Sequence, residues 1–130
     1  MAAAHFLRPM LESDPGTCTL LAEGREQPIA RSLIAAFDSA SRRRGLLGRE
    51  SLADHVALII APSSAVHTFR MQFPIDLVYA RRDGRVLKVR EAVRPNRMSG
   101  AWGAFAVVEL PAGTIARVGV AAGDRLVIIS

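Results

Sequence analysis

The chain has 130 residues, half of them apolar, which suits one domain with a sizeable core and excludes an intrinsically disordered chain. Aromatic residues make up only 5% of the chain, so Val, Ile, Leu and Ala must build that core. The net charge of +5 comes from 16 arginines and a single lysine, set against 12 acidic residues.

The basic residues lie on several separate segments, and we therefore expect no nucleic-acid function despite the positive charge. An anion site remains open, because a guanidinium group matches carboxylates and phosphates bidentately. Cys18 is the only cysteine, so no intramolecular disulfide can form. The opening "MAAAHFLRPMLESDPG" resembles neither a signal peptide nor a lipidation signal, and no apolar run reaches the ~18 residues of a membrane span. These features predict a cytoplasmic protein.

The first elements in chain order are an arm and a strand. We expect residues 1–16 to form a poorly ordered N-terminal arm that ends in the turn signal "DPG". A single β-rich domain is then expected over 17–130, and it begins with the short strand "TCTLLAE" at 17–23.

The segment that follows, "PIARSLIAAFDSASRRRGLLGRE", is ambiguous. Ile29, Leu33 and Phe37 recur at helical spacing, which favours one long helix. However, Asp38 or Ser39 could act as an N-cap, and a shorter helix would then begin there.

From residue 56 onward the pattern is mostly β. The clearest element is a hairpin over 75–91, because Asp83-Gly84 lies between two runs of β-forming residues. The remaining predicted elements are a buried strand "VALIIAP" (56–62), a loop (96–103), a strand "AFAVVEL" (104–110), a helical turn between Gly113 and Gly119, and a final strand in "AAGDRLVIIS" (121–130). Short strands at about ten-residue spacing predict a mostly β fold, a single compact antiparallel β-barrel or sandwich with one or two short helices.

Three segments in this order carry a family resemblance: "RRRGLLGR" (42–49), "HTFRMQFPIDLVYARRDGRVLKVRE" (67–91) and "VVELPAGTIARVGVAAGDRL" (107–126). Together they resemble the domain of unknown function 192 family of small bacterial and archaeal proteins. The resemblance implies a mostly antiparallel β-barrel or sandwich and a strand, rather than a helix, before "DSAS". We adopt the strand. The family has no established activity, so the resemblance implies no reaction, and many members carry a tryptophan where this chain has His67.

Two carboxylates are candidate site residues. Asp76 could be a buried group of raised pKa or a partner for Arg70, and the alternative is a structural carboxylate that caps a turn or pairs with an arginine. Alternation places Glu109 opposite Val108 and Leu110, so it faces solvent or a cleft if those two residues face the core. If it faces inward instead, it must form a structural ion pair, because an isolated buried charge is costly. The two carboxylates could form an acid–base pair if the fold brings them together.

The stretch "HTFRMQFPID" (67–76) supplies further candidates. Alternation predicts that its apolar side chains at 69, 71 and 73 pack inward, while Thr68, Arg70 and Gln72 face outward or into a groove. "RRRG" (42–45) and the loop at 90–102 are basic, and that loop could bind an anion against an indole. The alternative is a solvated run of surface charge with Trp102 packed under the loop. The candidate ligand-binding residues are His67, Arg70, Asp76, Arg94, Arg97, Trp102 and Glu109.

We expect no metal and no cofactor, because His5, His55 and His67 lack metal-ligand spacing and no phosphate-binding glycine motif occurs. The leading interpretation is a small module that binds a polar or anionic ligand, or a partner, in a shallow groove. One alternative is a hydrolase or lyase that uses Asp76 or Glu109 as acid or base, and another is an assembly subunit recognised through a sheet edge. A perturbed carboxylate in a deep pocket would favour the enzyme.

Overall fold

The computed structural model describes residues 5–130, which form nine short strands and three short helices. The strands are β1 (Thr19–Ala22), β2 (Ser32–Ala36), β3 (Val56–Ile60), β4 (Ala65–His67), β5 (Ile75–Ala80), β6 (Val86–Val93), β7 (Met98–Gly100), β8 (Ala106–Pro111) and β9 (Leu126–Ile129). The helices are α1 (Arg8–Glu12), α2 (Ser39–Arg44) and α3 (Thr114–Val118), and a 3₁₀ turn spans Pro15–Thr17. None of the described helices has the length and apolar character that crossing a membrane requires.

A five-stranded sheet in the order β2-β3-β8-β5-β6 forms the centre of the molecule. All of its neighbouring pairs are antiparallel except β2–β3, which is parallel. Two ribbons, β1–β9 and β4–β7, accompany this sheet. The mostly β, sandwich-like fold is confirmed, and no closed barrel forms within residues 5–130. The parallel β2–β3 pair stands in an otherwise antiparallel arrangement, as a mostly antiparallel fold allows.

Both faces of the central sheet are covered. Val108 and Leu110 of β8 belong to one core cluster, which also contains residues of β1, β9, α1 and α3. Val107 of the same strand belongs to a second cluster on the opposite face, together with Leu58 and Leu77. A polar side chain on either face of β8 is therefore withdrawn from bulk water.

The prediction of a poorly ordered N-terminal arm is corrected for residues 5–16, the part of the arm that the structure describes. Leu7 and Met10 are buried in the first core cluster, and Cys18 packs beside them. The Phe6 N–H also donates to the carbonyl of Arg82 at 2.8 Å. Apolar side chains at 7 and 10 share one face of α1, which explains why this segment packs onto the domain. Residues 1–4 lie outside the described residues.

The ambiguous segment at 28–50 divides as the resemblance implied. Residues 32–36 form β2, which pairs with β3, and Asp38 begins a separate helix. Its carboxylate accepts from the Ser41 N–H at 2.8 Å, and the Ser41 hydroxyl completes a capping box. The apolar residues of β2 contribute to both core clusters. Because both faces of the strand are covered, apolar residues also occupy positions that fit helical spacing. A further correction concerns 96–103, where part of the predicted loop is β7.

The predicted hairpin is confirmed, and Gly84 is its critical turn residue. β5 and β6 pair antiparallel across Asp83-Gly84, and Gly84 has a φ of +90°. A Cβ atom there would overlap the Leu126 carbonyl oxygen, whereas a Cβ on Gly123, whose φ is +94°, would meet nothing within 4 Å.

We expect Gly84→Ala to lower the free energy of unfolding by more than Gly123→Ala does. Gly123→Ala should cost about 1 kcal/mol, because it adds only the strain of a positive φ. Gly84→Ala should cost roughly 1 kcal/mol more, since the backbone of β9 must also shift. Urea unfolding of both variants beside the wild type measures the difference, and equal losses would contradict the close approach at Gly84.

Candidate functional site

A cavity of about 600 Å³ opens between α2 and β4, and we call it the α2–β4 cleft. Its lining residues are Ser39, Arg42, Arg43, Arg44, Gly45, Leu46, Leu47, Ile60, Pro62, Ser63, Ala65, Val66, His67, Met71 and Glu109. The cleft thus combines an arginine-rich wall, an apolar interior and one acidic residue.

The basic wall comes from the last turn of α2. Three consecutive arginines occupy this turn, where the helix dipole favours positive charge. Arg42 Nη1 donates to the Phe37 carbonyl at 3.1 Å, and Arg43 Nε donates to the Ser39 carbonyl at 3.3 Å. Gly45 then ends the helix with a φ of +47°. The guanidinium groups retain donors that these backbone contacts leave free.

Glu109 lies at the floor of the cleft. It stands on β8 opposite Leu58 of β3 and Leu77 of β5, and only 3% of its surface is exposed. It forms neither a hydrogen bond nor a salt bridge with any described residue, and burial raises its pKa to about 7. A carboxyl group in this state can both hold and release a proton near neutral pH.

His67 lies at the rim of the same cleft. It is the last residue of β4, and its exposed imidazole stacks on Phe69 with ring centroids 4.9 Å apart. Its Nδ1 accepts from the Phe69 N–H at 3.4 Å, which orients the ring. His67 and Glu109 are therefore the two sequence-predicted candidates that line one cavity.

Asp76 lies on the other face of the sheet and has a structural role. It stands opposite Leu110 of β8, and its Oδ2 accepts from the N–H groups of Gly113 and Ile115 at 3.1 and 2.9 Å. Its Oδ1 accepts from the Ala92 N–H at 2.8 Å, where β6 bulges and Ala92 has a φ of +49°. The carboxylate caps the start of α3 and fixes the bulge.

Two sequence-based hypotheses about Asp76 are thereby corrected. Its partners are backbone N–H groups rather than Arg70, which is exposed and has a φ of +65°. It also cannot act with Glu109 as a carboxylate pair, because neighbouring register positions on β8 point their side chains to opposite faces of the sheet.

The other predicted candidates lie outside the α2–β4 cleft. Arg70, Arg94 and Arg97 are exposed, and Trp102 is fully exposed rather than packed under its loop. The predicted inward packing at 69–73 is also wrong in part, since Phe69 is 43% exposed while Thr68 is buried. The Thr68 hydroxyl donates to the Arg94 carbonyl at 2.7 Å and accepts from the Arg97 N–H at 2.9 Å, which draws it inward.

Sequence reasoning left the arginines of α2 out of the candidate list. The run "RRRG" was visible as a basic segment, but nothing local showed that it lines the same cavity as Glu109. Within residues 5–130, no group of three or more His, Cys, Asp or Glu side chains could hold a metal ion.

A comparison with family models identifies the family of this chain. The DUF192 model, described as "Uncharacterized ACR", matches residues 21–128. The chain belongs to this family. The match covers every strand from β2 to β8 and both α2 and α3, so the whole α2–β4 cleft lies within the family domain.

Two solved structures share the DUF192 fold seen in this chain. One is a protein of unknown function from Novosphingobium aromaticivorans DSM 12444, 25% identical, with a TM-score of 0.73, covering 84% of this chain and 81% of that one. The other, from Sinorhizobium meliloti 1021, is described as a "putative transcription regulator"; it is 25% identical, with a TM-score of 0.74, covering 84% of this chain and 89% of that one. No curated protein matches the chain significantly.

Proposed function

We propose that this DUF192 protein binds a small anionic ligand in the α2–β4 cleft. The observation that carries the proposal is the run of three arginines along one wall of a cavity of about 600 Å³. Arginine binds carboxylate and phosphate groups bidentately, and such charge-assisted bonds are about twice as strong as neutral ones.

The floor of the cleft supports an anion rather than a cation. Glu109 is the one acidic residue among the described residues that line the cavity, and with a pKa of about 7 it is largely neutral in mildly acidic solution. In its neutral form it can donate a hydrogen bond to a ligand oxygen. The ligand would place its charge against α2 and an uncharged oxygen or apolar portion toward Glu109, Ile60 and Met71.

We expect the double change Arg43→Gln with Arg44→Gln to weaken anion binding at least tenfold, because each lost charge-assisted bond contributes on the order of 1.5–3 kcal/mol. The matched control is Arg31→Gln with Arg117→Gln, two exposed arginines outside the cleft, which lowers the net charge equally. Calorimetry with citrate, glutarate and inorganic phosphate at low salt gives the comparison. If both double variants bound the anions equally weakly, the loss would be explained by net charge alone, and this result would contradict a site in the cleft.

Two further binding measurements accompany these titrations. A random DNA duplex tests the expectation that nucleic acid is not the partner, and sub-micromolar affinity at physiological salt would contradict it. Wild-type binding of sulfate, whose charge is the same at both pH values, is also measured at pH 5.5 and pH 8. We expect weaker binding at pH 8, because ionised Glu109 then repels the anion.

A second candidate function is a hydrolase or lyase in which Glu109 transfers a proton. The observation that favours it is the buried, unpaired carboxyl of raised pKa in the same cavity as His67. Asp76 has no part in this reaction, since its oxygens are occupied by three backbone donors.

The enzyme candidate is tested by assaying a panel of carboxylic and phosphate esters with wild type and Glu109→Gln. The glutamine would keep the shape of the side chain and lose its proton exchange, so turnover should fall at least a hundredfold while anion binding at pH 5.5 remains. Turnover that survives the change would remove Glu109 from the reaction.

A further inference from the structure

We propose that the anion bound in the α2–β4 cleft belongs to an extended acidic peptide segment, which adds as a strand to the free edge of β4. This inference rests on the proposed anion binding and specifies its ligand class. In this mode the backbone of the peptide supplies affinity and the alternate side chains supply selectivity.

The pairing of β4 with β7 shows which backbone groups are free. Thr68 N–H donates to the Arg97 carbonyl at 2.8 Å, and Ala101 N–H donates to the Ser64 carbonyl at 2.9 Å. In an antiparallel pair, inter-strand bonding residues alternate with residues whose N–H and C=O point away. Val66 therefore bonds toward β7, whereas Ala65 and His67 direct their backbone groups to the opposite edge.

The two outer edges of this ribbon differ. On β7, side chains of β6 already occupy the outward carbonyls, since Lys88 Nζ donates to Gly100 at 2.8 Å and Arg90 Nη1 donates to Met98 at 3.4 Å. On β4, the Ser63 hydroxyl occupies the Ala65 carbonyl at 2.9 Å. The N–H of Ala65 and the N–H and C=O of His67 have no partner among the described residues. The available edge is therefore that of β4.

The free edge and the arginines of α2 line the same cavity. Ala65, Val66 and His67 form one side of the α2–β4 cleft, and Arg42, Arg43 and Arg44 line the cavity with them. The chain around β4, residues 61–75, carries Arg70 and no acidic residue. A strand added at this edge would direct alternate side chains toward the arginines, so acidic residues at every second position fit the cleft.

The length of the edge limits the contact. Ala65–His67 spans about 7 Å at ~3.3 Å per residue, enough for about three to four residues of a ligand. We therefore expect weak, salt-sensitive binding, with Kd on the order of 10–100 μM at low ionic strength.

The test uses three peptides with blocked ends: Glu-Val-Glu-Val-Glu, Lys-Val-Lys-Val-Lys, and the acidic peptide N-methylated at all five residues, which has no residue N–H left to donate to β4 in either register. Fluorescence anisotropy measures affinity, and nuclear magnetic resonance of ¹⁵N-labelled protein records hydrogen exchange at the Ala65 and His67 amides. We expect the acidic peptide to bind at least tenfold more tightly than either of the others, and to slow exchange at both amides at least tenfold.

A protein variant isolates the strand edge. Ala65→Pro removes the outward N–H and no bond to β7, and proline is tolerated at such edge positions. It should weaken binding of the acidic peptide at least fivefold, and by a clearly larger factor than it weakens binding of citrate, which needs no backbone N–H of β4. Should Ala65→Pro fail to fold, the comparison between the acidic peptide and its N-methylated form decides alone.

The outcomes separate the inference from the function on which it rests. Citrate binding without peptide discrimination, or acidic and N-methylated peptides of equal affinity, would overturn strand addition and leave anion binding intact. Absence of binding by both citrate and the acidic peptide would overturn both.

Discussion

Glu109→Gln is expected to stabilise the protein at pH 8 by about 3 kcal/mol and to change its stability little at pH 4.5. The pKa of Glu109 is about 7 in the fold and near 4.5 when the side chain is exposed, so the folded state binds more protons between these values. Stability therefore falls as pH rises through the window from 4.5 to 7, by about 1.4 kcal/mol per unit of pKa difference. Glutamine does not ionise and avoids this loss.

Urea unfolding of wild type and Glu109→Gln at several pH values from 4.5 to 8 measures the effect. Glu91→Gln is the matched control, because Glu91 is exposed on β6 and its replacement should change stability by less than about 0.5 kcal/mol at every pH. A difference between Glu109→Gln and wild type that stays constant across this range would show that burial does not perturb the carboxyl group. A stabilised variant that also loses pH-dependent anion binding would mark Glu109 as a residue kept for function.

Asp76→Asn is expected to lower the free energy of unfolding by about 2 to 3 kcal/mol. The Asp76 carboxylate is fully buried and accepts three backbone N–H groups, two at the start of α3 and one at the β6 bulge. An asparagine presents one oxygen and one NH₂ group, so at least one buried N–H faces another donor in either orientation.

Asp54→Asn is the control for Asp76→Asn, because Asp54 is exposed and its replacement should be nearly neutral. Thermal and urea unfolding of both variants give the comparison. Citrate binding by Asp76→Asn below its unfolding transition should match that of the wild type, since Asp76 lies on the face of the sheet away from the α2–β4 cleft. An unfolding midpoint at or above the wild-type value would contradict the structural role.

Local sequence identified the elements whose signals are short-range. Asp83-Gly84 predicted its hairpin because a positive φ at glycine is a local requirement, and Gly113 and Gly119 delimited α3 for the same reason. The capping residues of α2 were visible as well, although periodicity extended the helix backwards over β2. That error arose because β2 has apolar residues toward both core clusters, a property of the sheet rather than of the segment.

The candidate site was predictable only in fragments. Alternation on β8 correctly placed Glu109 on the face opposite Val108 and Leu110. The structure shows that those two residues belong to the core, and Glu109 accordingly lines the cavity on the other face. Arg70 was proposed as the partner of Asp76 because it is near in sequence, yet the true partners are up to 39 residues away. Sequence distance does not report which backbone donors remain unsatisfied after the sheet has formed.

The sequence by itself determined a mostly β domain, the β5–β6 hairpin, the limits of α3 and the family, because turn chemistry, strand alternation and ordered motifs are properties of neighbouring residues. Only the tertiary structure decided that the arginines of α2 share a cleft with Glu109 and His67, and that Asp76 faces away from them. The reason is physical: these residues meet through the strand order of the central sheet and the packing of its two faces. Both depend on contacts between residues far apart in the chain.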